Sequence, residues 1–262
     1  MPYLANAKNE ETFMTPDCAR SLPITVTTAH CDFALQRIGL VGEAEQPSYG
    51  CSWPWYEMLI RPRQQYFQGS PGAFIDRLYA ERVPVETDSE VVSRALGWLI
   101  GRDLPTRLSV NIHPQSLTRD GFMEQVIDVQ RQAGLGGHSL CLELVEFGEC
   151  PERSLLASNA QRLREAGVLI ALDDFGSRIN CFDLCAQGIV DLIKVDASVV
   201  RGIHLDRYRQ AIVQSINTLA HGIAASVIAE GVETFEELQS LARIGVEYAQ
   251  GYHFHKPEIA EI

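Results

Sequence analysis

Short apolar runs alternate with amphipathic stretches along most of this 262-residue chain, and that rhythm constrains its fold more than any other feature. The strand-like runs fall at Phe33 to Ile38, Tyr56 to Arg61, Leu108 to Ile112, Leu140 to Val145, Val168 to Leu172, Leu192 to Val195, Ser226 to Ala229 and Tyr248 to Phe254. Between most of them lie helical patterns: Val91 to Ile100, Phe122 to Ala133, Ser154 to Ala166, Arg207 to His221 and Phe235 to Ile244. Gly134, Gly167, Gly222 and Gly245 stand where C-caps are expected, and Thr234 with Glu237 has capping-box spacing. Such alternation means parallel strands covered by helices, and eight units in about 230 residues suit a closed α/β barrel better than an open sheet. No helical pattern separates the first two strands, whose link holds Gly42, Gln46-Pro47-Ser48 and Gly50, so an antiparallel start is expected.

Five of the runs end in acids or an amide: Asn111, Glu143, Asp173 with Asp174, Asp196 after Lys194, and Glu230. A single acid at a strand end is ordinarily a helix cap or a solvated loop residue. Five together at the C-terminal rim of a barrel make a site. Adjacent aspartates after an apolar strand repel each other unless a cation uses them. Carboxylates with one amide carbonyl suit Mg²⁺ or Mn²⁺ rather than zinc, and their number exceeds the needs of one ion. A two-metal hydrolase follows, with Lys194 holding a nucleophilic water or a phosphate oxygen. Asp174-Phe175-Gly176 matches a kinase motif, but no glycine-rich phosphate loop accompanies it. Cys181 and Cys185 read as core thiols on a helix, and His253 and His255 as a polar face of the last strand.

The formal charge of −12 argues against direct binding of nucleic acid or an anionic membrane. The seven cysteines are an odd number, and Cys141 lies within a strand-like run, which suits a reducing, cytoplasmic setting. No segment reaches membrane-spanning length, and residues 1–28 read as an irregular extension before a barrel domain over 29–262.

In this order these residues resemble the EAL-domain family of cyclic di-GMP phosphodiesterases. The name motif corresponds to Glu57-Met58-Leu59-Ile60-Arg61, preceded by Gln36-Arg37-Ile38. Val110-Asn111, Glu143 with Glu146, Asp173-Asp174, Ile193-Lys194-Val195-Asp196, Ala229 to Thr234 and Gln250-Gly251-Tyr252 match further signatures. The resemblance implies a modified TIM (β/α)8 barrel with one antiparallel strand, and hydrolysis of cyclic di-GMP to linear pGpG by metal-activated water. It implies two Mg²⁺ or Mn²⁺ ions, one held by Glu57, Asn111, Glu143 and Asp173, the other by Asp173, Asp174 and Glu230. Catalysis would then rest on Lys194, Glu230, Asp173 and Asp174. Gln36, Leu59, Arg61 and Gln250 would contact the dinucleotide, while Glu146, Asp196 and Glu233 support the ligands and the following loop. A homodimer is implied too.

After the aspartates the family continues with a small residue and Gly-Tyr-Ser-Ser, whereas here the chain reads Ser177-Arg178-Ile179-Asn180-Cys181. That departure motivates a second reading: a catalytically weak or inactive receptor for cyclic di-GMP, or a regulator that binds a protein partner. A third, an enolase-type proton-abstracting barrel, explains the acidic rim but not the paired aspartates.

Overall fold

The strand Cys31–Leu40 (β1) runs antiparallel to Trp55–Pro62 (β2), with Gln36 opposite Glu57, as the glycine- and proline-containing link predicts. The computed structural model describes residues 26–44, 53–81, 84–145, 152–176 and 182–261. After β2 come helices Pro71–Glu81 (α1) and Pro84–Ile100 (α2), then strand–helix units: Arg107–Ile112 (β3), Asp120–Leu135 (α3), Ser139–Leu144 (β4), Arg153–Glu165 (α4) and Leu169–Phe175 (β5). Phe182–Ala186 (α5), Leu192–Val195 (β6), Ala197–Val200 (α6), Arg207–Gly222 (α7), Ser226–Ala229 (β7), Phe235–Ile244 (α8), Tyr248–Gln250 (β8) and Glu258–Ala260 (β9) complete the order. The strands β2 to β8 pair in parallel and in sequence, and β1 closes the ring by pairing antiparallel with both β8 and β2. This is a modified TIM barrel with one antiparallel strand.

The strands differ from the sequence expectation mainly at their ends. The last one stops at Gln250, because Gly251 turns the chain away, so His253 and His255 lie in and after that turn rather than on a strand. The short β9 then pairs with Phe33 to Leu35 and covers the part of β1 that β8 leaves free. Three helices lacked a clear pattern: α1, which buries Phe74 and Leu78, and the single-turn α5 and α6. Burying those two side chains contributes about 3–6 kcal/mol by area. Gly134 lies inside α3, which closes at Gly136, and Gly222 is the last residue of α7 rather than its cap. The Thr234–Glu237 capping box and the Gly245 C-cap of α8 form as expected.

The period-two alternation of each strand separates two cores. Outward residues such as Val110, Leu142, Ile170, Ile193 and Val227 are buried beneath the helices. Inward ones, Ile38, Trp55, Cys141, Ala171, Leu192 and Ile228, fill the lower barrel. Cys31, Cys141 and Cys185 are free and buried, while Cys181 lies outside the described residues. Among the described residues no helix is long and apolar enough to cross a membrane.

Candidate active site

One step above the apolar layer the same inward positions carry polar side chains: Gln36, Glu57, Asn111, Glu143, Asp173, Lys194, Glu230 and Gln250. Lys194 stands at their centre with 1% of its side chain exposed. Its Nζ lies 2.5 Å from Glu143 Oε2, 2.8 Å from Glu230, 3.0 Å from Asp173 and 3.6 Å from Glu57. The Asp173 contact is an ion pair outside hydrogen-bond alignment. Glu57 accepts from Asn111 Nδ2 through one oxygen and from Gln250 Nε2 through the other, both at 2.7 Å. Gln250 Nε2 also reaches Gln36 Oε1 at 3.2 Å, and Gln36 in turn donates to the carbonyl of His255.

This crowding sets the charge states. Burial works against the Lys194 ammonium, yet Asp173, Glu143, Glu230 and Glu57 together hold its pKa well above the ordinary lysine value. Burial would raise Glu57 too, but the Lys194 charge and the two amide donors overcome it and keep this carboxyl low. Glu143 and Glu230 are held high, first by burial and then by the neighbouring acids, against the pull of Lys194. Four carboxylates around one ammonium have room for further positive charge.

A regular strand cannot point two consecutive side chains at one site. The pairing of β5 with β6 shifts register between Leu172 and Phe175, and Asp174 takes φ 52°, a left-handed conformation. Among the described residues Asp173, Asp174 and Glu230 then offer carboxylate oxygens within 4.8 Å of one another. Burial, then the charges of Asp173 and Asp196, push Asp174 up to about 6.

The donor set fits divalent cations. Among the described residues Asn111 Oδ1 and Glu143 Oε1 are buried oxygens without a hydrogen-bond partner, the hard ligands that Mg²⁺ and Mn²⁺ take. Glu57, Asn111, Glu143 and Asp173 would hold an inner ion, and Asp173, Asp174 and Glu230 an outer one.

The other sequence-predicted residues lie farther from Lys194. Leu59 and Arg61 continue the inward face of β2 at the rim, half-buried, and Arg61 Nη1 donates to the carbonyl of Ile60. Asp196 caps α6 through Ser198 N and sits near Asp174. Glu233 pairs with Arg201 at 3.0 Å. Glu146 and the segment 177–181 lie outside the described residues.

Two features gave no sequence signal. Buried Asp88, in the second turn of α2, accepts from Tyr79, from Ser116 and from the backbone N–H of His113, anchoring the chain just past Asn111. The Lys256 ammonium lies 5.4 Å over the exposed Tyr252 ring, which neighbours Arg61.

The EAL domain matches residues 67–257. The chain belongs to the EAL-domain family. The match begins beyond Glu57-Met58-Leu59-Ile60-Arg61, and it is the register of β2 against β1 and β3 that carries this segment into the EAL site. An uncharacterized protein of Mycobacterium tuberculosis is 33% identical over 195 residues, 72% of this chain and 31% of that protein. The cyclic di-GMP phosphodiesterase PdeB of Shewanella oneidensis is 29% identical over 195 residues, 72% of this chain and 22% of PdeB. The chain thus spans a third or less of the length of these curated relatives. Among solved structures, the manganese and cyclic di-GMP complex of BlrP1 from Klebsiella pneumoniae is similar at 30% identity and TM-score 0.67. That likeness covers 90% of this chain and 58% of BlrP1. The FimX EAL domain of Xanthomonas citri shares the fold at TM-score 0.71 and 20% identity, covering 88% and 89% of the two chains.

Proposed function

We propose that this EAL domain is a two-metal phosphodiesterase that hydrolyses cyclic di-GMP to linear pGpG. The observation that carries the proposal is the ring of Glu57, Glu143, Asp173 and Glu230 around Lys194, beside the unpartnered oxygens of Asn111 and Glu143. The relatives named as cyclic di-GMP phosphodiesterases support the substrate class. Mg²⁺ or Mn²⁺ bound there supplies Lewis-acid activation of the nucleophile and offsets charge developing on the phosphate. Lys194, held charged by its neighbours, orients the attacking water and stabilises the transition state electrostatically. Arg61 at the rim pairs with the dinucleotide, Leu59 packs against it, and Gln36 with Gln250 fixes the floor below. Glu230 and Asp173 steer the water toward phosphorus, and Asp174 completes the outer ligand set. The water oxygen bonds phosphorus as the P–O3′ bond of one phosphodiester breaks, the water's proton passes by way of the neighbouring carboxylates to the departing 3′ oxygen, and linear pGpG leaves. Buried free thiols suit a cytoplasmic setting, and the exposed apolar side chains Leu205, just before α7, and Tyr208 and Ile212, in its first two turns, support a homodimer.

Incubation with cyclic di-GMP and Mn²⁺, followed by separation of products, tests the reading. Linear pGpG above a Glu57→Ala control is expected, and its absence overturns the hydrolase. The divergent segment Ser177 to Cys181 favours one alternative, a receptor that binds cyclic di-GMP without turnover. Tight binding with no product in Mn²⁺ would establish it.

A further inference from the structure

The barrel has a second mouth, at the end away from the acids. Where β1 ends between the starts of β2 and β8, with Ile38 opposite Trp55 and Leu40 opposite Tyr248, the structure holds a cavity of about 160 Å³. Trp53, Trp55, Tyr248, Ile38, Leu40 and Arg37 line it. We propose that this cavity binds a small aromatic carboxylate, its ring inside against the aromatic walls and its carboxylate at Arg37. The site is distinct from the acidic rim: Trp55 and Tyr248 stand two residues before Glu57 and Gln250 on the same strand faces, one layer below the floor.

The walls stand ready without a ligand. Trp55 is buried, its Nε1 donates to Ser109 Oγ at 3.0 Å, and the Arg107 guanidinium lies 4.6 Å over its ring. The Tyr248 ring meets Trp55 edge-on, 5.1 Å between centroids and 74° between planes. Both rings are thereby fixed, so a ligand meets a preformed surface and has little to order on entry. Trp53 differs. It is 54% exposed, a large apolar side chain left in water beside the opening, and a ring seated against it would cover part of that surface.

Size limits the occupant to about one ring, since an apolar cavity of about 150 Å³ takes benzene. Polarity narrows the choice further. Trp55 has its one donor engaged with Ser109, and the Tyr248 hydroxyl is engaged with Glu247 and Arg107. The edges of a nucleobase would go unpaired against these walls, at a cost that a hydrocarbon ring escapes. Charge then selects the other end of the ligand. The chain carries a formal −12, yet two guanidiniums, Arg37 and Arg107, stand at this cavity, while Glu247, the acid beside Tyr248, accepts from Ser226 Oγ at 2.7 Å. An organic cation, the other usual guest of aromatic walls, would be repelled by those guanidiniums. Arg37 is exposed, so a carboxylate can pair with it and stay hydrated while its ring is buried.

Phenylacetate is the probe and its neutral amide, phenylacetamide, the control, both added to the metal-free protein in EDTA. Binding is followed on the indole N–H signals of the ¹⁵N-labelled protein, which has three tryptophans, assigned with Trp53→Phe and Trp98→Phe. The Trp53 and Trp55 signals should shift saturably with phenylacetate, with half-saturation on the order of 1 mM or below. Phenylacetamide should bind at least fivefold more weakly, and Arg37→Gln, at an exposed position, should erase that difference. Trp53→Ser should weaken phenylacetate at least tenfold. Absence of a saturable shift overturns the site. Equal affinity for acid and amide in wild type overturns the carboxylate, and tighter binding of GMP at the same two signals overturns the aromatic acid in favour of a nucleotide. Because no metal is present, none of these outcomes bears on the phosphodiesterase reading.

Discussion

Asp173 and Asp174 are neighbours in sequence, and they present their carboxylates to one site because Asp174 adopts φ 52° where β5 slips its register against β6. A left-handed residue costs about 1–2 kcal/mol, least for Asp and Asn. Two like charges held together add to that cost. Function and stability are therefore opposed at this position. Asp174→Asn keeps a residue that tolerates the conformation and removes the repulsion from Asp173 and Asp196. In EDTA its melting temperature should stay level or rise by about 2 °C, while Mn²⁺ binding at the outer site falls by roughly 100-fold. A clear drop in metal-free stability would contradict this account.

Glu57 joins the amides of the site to its charges. Removing it leaves Asn111 Nδ2 and Gln250 Nε2 without their 2.7 Å acceptor in a buried setting. An orphaned buried donor costs about 1–3 kcal/mol. Glu57→Ala should thus lose about 2 kcal/mol in urea unfolding of the metal-free protein, although it relieves a cluster of negative charge, and should yield no linear product. A variant more stable than wild type would mean that repulsion among the acids outweighs those hydrogen bonds.

The sequence makes the barrel legible because the strand period and the helix period are both strong, and the link before β2 announces its antiparallel partner. The strand-end acids stand out because nothing in packing asks for them. What stays hidden is local. No residue pattern marks the register slip that brings Asp174 beside Asp173 and Glu230, and the alternation of Tyr248 to Phe254 looks like one strand although Gly251 breaks it. The start signals of α1, Ser70 capping Ala73 N with Pro71 at the first turn, are present but attached to a short apolar pattern. Asp88 is unreadable as a buried anchor because its partners Tyr79, His113 and Ser116 meet only in the fold.

That anchor predicts a pH dependence. Burial, opposed by its three hydrogen bonds, lifts Asp88 from 3.8 to about 6. A raised carboxyl pKa means that the folded protein holds a proton which the unfolded chain has released. The stabilisation is complete below about pH 4 and is lost as pH rises through about 6, a difference of about 3 kcal/mol. Asp88→Asn keeps the shape without the titration. Urea unfolding at pH 4.5 and pH 7.5 should show the stability gap between wild type and variant changing across that interval by about 2 kcal/mol, with wild type favoured at the lower pH. A constant gap would show that Asp88 titrates alike in both states.

Gly251 sets where β8 ends and hence where Gln250 points. A Cβ at this position would lie 2.1 Å from the carbonyl oxygen and 2.3 Å from the nitrogen of Val232, and its φ is 157°. Those are backbone atoms held in place, since Val232 N donates to the carbonyl of Gln250 and its own carbonyl accepts from His253 N. The clash cannot be relieved by a side-chain rotation, so Gly251→Ala must separate the β7 and β8 loops. The cost should be about 3 kcal/mol or more, read as a lower urea midpoint. Because Gln250 Nε2 supports Glu57, the same displacement should weaken Mn²⁺ binding, whereas a surface change such as Leu135→Ser, at an exposed position on α3, should affect neither. Normal stability with alanine at 251 would mean that the two loops can part without disturbing the floor of the site.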